Sequence, residues 1–137
     1  PARAAVAALV SQADRLQARL APRPHCISAA RDLMRRACHT WDLPHLVDDA
    51  VLTVSELATN AVEHARTDFV VTVSRQARRL HVAVQDGVPH FPHLRRPDPP
   101  GPAANPGGRG LMMVDRIAAA WGAMPTRVGK VVWATLT

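Results

Sequence analysis

Val54-Ser55-Glu56-Leu57-Ala58-Thr59-Asn60-Ala61-Val62-Glu63-His64-Ala65 is the most informative stretch of the chain. Glu56 and Asn60 stand four apart, which places a carboxylate and a carboxamide one above the other on a single helix face. A carboxylate can take a proton, and an amide oxygen can hold a hard cation as a neutral ligand. Taken alone, such a pair is ordinarily a solvated helix face. Its meaning comes from what surrounds it.

Working outward, the segment closes a helix expected from about Pro44 to Ala65. Proline is tolerated in the first turn, and Asp48 and Asp49 lie where the helix dipole favours negative charge. Val47, Val51, Val54, Ala58, Ala61, Val62 and Ala65 form the apolar stripe expected to be buried, with Thr53, Glu56, Asn60, Glu63 and His64 on another face. Upstream, Ser28 can cap a helix to about Trp41, striped by Ala29, Leu33, Ala37 and Trp41, and Asp42-Leu43-Pro44 breaks it. Before that, Leu16, Ala18 and Leu20 alternate with Arg15, Gln17 and Arg19, a half-buried strand over Ala13–Leu20. Residues 1–12 read as a leader or an extra helix, preceding a domain over 13–137.

Downstream, Phe69–Arg75 and Leu80–Gln85 alternate as antiparallel neighbouring strands across a basic turn at Arg78-Arg79. Seven prolines then fall between Gly87 and Gly108, so that stretch is a long loop, a length that usually serves function as a lid. Gly110–Ala120 returns to helix, with Leu111, Val114, Ile117 and Ala118 apolar, and strands near Trp121–Thr126 and Val131–Leu136 finish the chain. The expected fold class is α+β: a two-layer sandwich of a mostly antiparallel mixed sheet, covered on one face by three helices.

The bulk composition narrows the function. With 137 residues, 47% hydrophobic and 20% charged, the chain has the balance of one globular domain. No apolar run approaches the roughly 20 residues of a membrane span, and no signal peptide is visible. Cys26 and Cys38 have no framework spacing and read as small core residues in a cytoplasmic protein. His90 and His93 lie three apart in the proline-rich loop without a third ligand, which argues against zinc. The net charge of +6 and pI of about 11.2 invite a nucleic-acid reading. Aromatics are only 4% and no nucleic-acid-binding signature appears, so no nucleic-acid partner is expected.

Two further segments carry chemistry. Asp86-Gly87 ends a strand and opens the loop; a half-buried carboxylate there needs a donor, and an amino-purine edge supplies one. Gly87 permits positive φ and the close approach of a ligand. The alternative is a plain Asp-Gly turn. Gly107-Gly108-Arg109-Gly110-Leu111 precedes a helix, where backbone N–H groups and the dipole favour phosphate and Arg109 can add a charge-assisted contact. It is neither a Walker A segment nor a Rossmann fingerprint.

Glu56-x-x-x-Asn60, Asp86-Gly87 and Gly108-Arg109-Gly110-Leu111, in that order, resemble the three nucleotide boxes of the GHKL superfamily of ATPases, with its Bergerat or histidine-kinase-like ATPase fold. Trp41-Asp42-Leu43, Val54–Ala65, Trp121-Gly122 and Gly129-Lys130-Val131-Val132-Trp133 are similar to its actinobacterial anti-sigma-factor serine/threonine kinase branch. The resemblance implies ATP and magnesium as cofactors. It implies Glu56 as general base, Asn60 as magnesium ligand, and nucleotide contacts at Asn60, His64, Asp86, Gly87, Gly108, Arg109, Gly110 and Leu111. Asp86 would accept from the adenine amino group, Gly108 and Gly110 would shape the phosphate turn, and residues 87–107 would form the lid.

The implied partners are a sigma factor and an anti-sigma-factor antagonist carrying the target serine. A homodimer through the edge of strand Ala13–Leu20 is a further expectation. A binding module of the same fold, without phosphate transfer, is the alternative function. Two departures bear on that choice: Val88 stands where relatives carry a small residue, and Lys130-Val131 follow Gly129 where relatives often have Thr.

Overall fold

Period-two alternation builds the sheet. In the computed structural model of the chain the described residues are 6–90 and 106–137, with side chains described for 13–90 and 111–137. Among the described residues six strands run: β1 Val6–Gln12, β2 Arg15–Leu20, β3 Phe69–Gln76, β4 Arg79–Asp86, β5 Ala120–Pro125 and β6 Lys130–Leu136. They lie side by side in the order β1-β2-β3-β4-β6-β5. Each pairing is antiparallel, so the sheet is not mixed.

One face of this sheet carries Leu16, Ala18, Leu20, Phe69, Val71, Val73, Leu80, Val82, Val84, Val132, Ala134 and Leu136, all buried. Against it lie helices α1 Pro24–Thr40 and α2 Val47–Thr59; α3 Pro106–Ile117 packs on α2 and β5. Cys26, Ala30, Leu33, Met34, Ala37 and Cys38 line the buried side of α1 at helical spacing. The two thiols are free core residues, as the sequence suggests. Trp41 closes α1, its indole Nε1 donating to the carbonyl of Ala13 at 2.9 Å and pinning the helix to the β1–β2 turn. The expected α+β two-layer architecture is therefore present.

The other sheet face is half-open and more polar. Gln17 donates to Thr72 Oγ1 at 3.0 Å, and the His81 and Trp133 rings stack with centroids 5.6 Å apart. No helix among the described residues is long and apolar enough to cross a membrane.

Several expectations are corrected. Val6–Gln12 is neither leader nor helix but an edge strand, paired with β2 from Val6↔Leu20 to Gln12↔Arg15. Consequently β2 is interior, hydrogen-bonded on both sides, and has no free edge through which to dimerise. The Pro44–Ala65 helix is three pieces: a 3₁₀ turn at Pro44–Leu46, α2, and a π-helical turn at Asn60–Ala65. The buried side of α2 is also rotated from the expected stripe. Ala50, Thr53, Val54, Leu57 and Ala58 are buried, whereas Val47 and Val51 are only partly so. Thr53 thus leaves the polar face, and its hydroxyl has no partner among the described residues. Helix α3 begins at Pro106 and stops at Ile117, because Ala120 already pairs with Thr135 in β5–β6. Of the expected lid over 87–107, residues 91–105 lie outside the described residues.

Candidate nucleotide site

Strand parity decides which side chains reach the site. In β4, Leu80, Val82, Val84 and Asp86 share the helix-facing side, and Asp86 is the last of the row. In β6 the matching row is Lys130, Val132, Ala134 and Leu136. Asp86 and Lys130 are cross-strand partners in the register, so a carboxylate and an ammonium meet at the end of an otherwise apolar stripe.

The pair is nearly dry, with side-chain exposures of 3% for Asp86 and 6% for Lys130. Lys130 Nζ straddles the carboxylate, 2.8 Å from Oδ2 and 3.0 Å from Oδ1. It also donates to the Val88 carbonyl at 3.2 Å, while the Val88 N–H donates to Asp86 Oδ1 at 2.9 Å. Every proton of the ammonium has an acceptor, the condition under which a buried ion pair is tolerated. The hairpin that brings Lys130 here depends on Gly129. A Cβ on that residue would collide with the Asp86 carbonyl and sit 2.8 Å from the Gly87 Cα. Thr126 shapes the turn, donating its N–H to the Gly129 carbonyl and accepting the Gly129 N–H on Oγ1, both at 3.0 Å.

Gly87 does not use the left-handed freedom expected of it; no glycine among the described residues has positive φ. Its role is close approach. The Gly87 N–H donates to Thr67 Oγ1 at 2.9 Å, and a Cβ there would lie 3.3 Å from Thr67 Cγ2. Thr67 follows the π-helical turn, so the end of the Asn60 segment is tied to the strand end bearing Asp86.

Glu56 and Asn60 stand one turn apart, with the Asn60 N–H bonded to the Glu56 carbonyl. Both are half-buried. Burial first, and the neighbouring Glu63 charge second, push the Glu56 carboxyl above the usual range; Arg31 pulls the other way. A carboxylate made more basic in this way suits proton abstraction. The Asn60 amide, without a hydrogen-bond partner among the described residues, fits a neutral oxygen ligand for a hard cation. Among the described residues no cluster of three or more His, Cys, Asp or Glu could hold a metal. A cation here would rest on Asn60 and on phosphate oxygens.

Glu56 also borders a groove of about 450 Å³ between α1 and α2, lined by Arg31, Arg35, Val47, Asp48, Val51, Leu52 and Ser55. Arg31 Nε donates to Ser55 Oγ at 2.7 Å, and that hydroxyl donates to the Val51 carbonyl at 2.6 Å. The arginine is thereby held on the α2 surface beside Glu56.

Gly108, Arg109 and Gly110 are not in a turn ahead of α3 but in its first turns. A helix leaves its first four N–H groups without internal partners; Pro106 has none to give, so Gly107 and Gly108 supply the free donors at the positive dipole end, while Arg109 and Gly110 lie past them. Leu111 is a core residue at 2% exposure and serves packing. His64 is exposed on the π-helical turn and joins none of these groups. Sequence reasoning noted Lys130 only as a departure from a family pattern. The signal that would have found its partner is the parity of β6, which sets Lys130 in register with Val132, Ala134 and Leu136.

A comparison with curated proteins gave no match. Residues 20–136 match the model of the histidine kinase-like ATPase domain, spanning Glu56, Asn60, Asp86, Lys130 and the glycine segment. With that match across most of its length, on a sheet and helices of the corresponding architecture, the chain belongs to the histidine kinase-like ATPase domain family.

Proposed function

We propose that this ATP-binding domain is a serine/threonine protein kinase of the anti-sigma-factor type, acting with magnesium on a protein antagonist and gripping a sigma factor. The observation that supports transfer, beyond binding, is the basic-shifted Glu56 at the mouth of the α1–α2 groove. A protein segment in that groove would bring a hydroxyl to the carboxylate. The hydroxyl oxygen attacks the γ-phosphorus, its proton passes to Glu56, and the bond to the β,γ-bridging oxygen breaks to release ADP. Magnesium, when bound, neutralises charge on the phosphates; Asn60 is the side chain suited to hold it. In this reading Asp86 would accept from the base and the N-terminal turn of α3 would receive the phosphates.

The second reading, a binding module without transfer, is favoured by one observation. The Asp86 carboxylate, on which base recognition rests in the kinase reading, is already bonded to Lys130.

The deciding experiment is calorimetric titration of ATP with and without magnesium, together with basal ATP hydrolysis, in which water replaces the acceptor hydroxyl. Asn60→Ala should lose magnesium-dependent binding. Glu56→Gln should keep binding and lose about 10²–10⁴-fold in turnover, the usual contribution of a general base. Equal loss of binding in both variants contradicts this division of roles. Binding with no turnover in the wild type, with or without a purified antagonist, leaves the module.

A further inference from the structure

A site that demands a hydrogen bond from its ligand discriminates because the wrong ligand leaves a buried polar group unpaired; such sites reject the deficient analogue by roughly 10⁴–10⁵-fold. Asp86 is not in that position. Before any base arrives, its Oδ1 accepts from the Val88 N–H and from Lys130, and its Oδ2 accepts from Lys130 at 2.8 Å. The charge is neutralised and the carboxylate satisfied from within the fold. A base lacking an amino group there strands nothing.

The ion pair is also hard to displace, because separating buried partners leaves an uncompensated charge. Gly129 and the β4–β6 register hold Lys130 in place at the strand end. An incoming base therefore meets the intact pair, in which Oδ2 carries a single donor among the described residues and the ammonium lies alongside. One remaining lone pair on Oδ2 can take an amino hydrogen, while a carbonyl oxygen there meets the favourable field of the adjacent ammonium, whose three protons are already bonded.

We propose that Lys130 sets the base selectivity of this site: by satisfying Asp86 internally it relaxes the requirement for a purine 6-amino group, so 6-oxopurine nucleotides are accepted beside ATP. This inference rests on the nucleotide site proposed above, and deepens it.

The test is competition between ATP and inosine triphosphate, which has a carbonyl in place of the 6-amino group, on the wild type, Lys130→Met and Lys130→Gln. The wild type should bind the two within about tenfold of each other, far below the discrimination of an unpaired acceptor. Lys130→Met removes both ammonium contacts and leaves Asp86 Oδ2 without a donor, so it should widen the preference for ATP by at least about tenfold, mainly by tightening ATP. Lys130→Gln, whose amide still donates, should fall between. If Lys130→Met does not fold, the wild-type ratio and the Gln variant decide. A wild-type preference for ATP beyond about 10³-fold, or an unchanged ratio in the folded variants, overturns the role of Lys130 while leaving the site intact. Failure of either nucleotide to bind any form overturns the nucleotide site itself, and this inference with it.

Discussion

Thr67 Oγ1 accepts the N–H of Gly87 at 2.9 Å, joining the segment just past the π-helical turn to the residue that leaves β4. The Glu56–Asn60 helix and the Asp86 strand end are thus fastened by one side chain. Thr67→Val keeps the shape and removes the acceptor. It should cost about 1 kcal/mol in urea unfolding and weaken ATP binding more than it weakens the sheet, read by titration calorimetry at a temperature where both proteins are folded.

Asp86→Ala is an ambiguous probe of ATP binding, because it leaves the Lys130 ammonium buried without its partner. Breaking a buried pair from one side costs about 3–5 kcal/mol, so this variant should be strongly destabilised in denaturant. The double variant Asp86→Ala/Lys130→Met, which removes both charges, should recover most of that loss. A double variant no more stable than Asp86→Ala would show that the stranded ammonium is not the source of the loss.

Glu56 gives a pH dependence with a defined sign. Its carboxyl in the fold sits above the usual range through burial and Glu63, so the folded state binds its proton more tightly than the unfolded chain does. Stability from this group is fully present below the unfolded value and is lost as pH rises through the folded one. Relative to Glu56→Gln, the wild type should therefore lose stability across that window and run parallel above it. Arg31→Ala removes the opposing cation and should move the Glu56 titration upward, while Glu63→Gln should move it downward, both read by NMR of the carboxyl carbon. Opposite movements would contradict the electrostatic assignment.

Ala77, at the first position of the β3–β4 turn, has φ of 55°, in the left-handed region that costs an L side chain about 1 kcal/mol. Hairpin turns with positive φ at this position favour glycine. Ala77→Gly should accordingly raise the unfolding free energy by about 1 kcal/mol, checked by urea denaturation.

Much of this molecule is legible in its sequence, and the exceptions have physical causes. Strands β3, β4 and β6 alternate because one face meets helices, and α1 shows its stripe for the same reason. Val6–Gln12 misleads because an Ala- and Val-rich run fits helix or leader equally; only pairing with β2 makes it a strand. The break at Asn60 is equally hidden, since α-helix and π-turn share one pattern and differ by a shift in hydrogen bonding. The Glu56–Asn60 stacking is legible from spacing alone, because both residues lie one turn apart on one helical run. The Asp86–Lys130 pair joins residues 44 apart and emerges only when the β4–β6 register is known.

That register has a consequence for how the sheet assembles. Side chains alternate across a strand, so a one-residue slip of β6 against β4 would carry the Lys130 ammonium to the open face and leave the Asp86 carboxylate alone in the interior. The same slip would turn Val132, Ala134 and Leu136 out to the open face, so the buried pair adds an electrostatic cost to a hydrophobic one. The Asp86–Lys130 contact therefore works as a checkpoint on strand alignment, making misaligned sheets electrostatically expensive before any ligand is present.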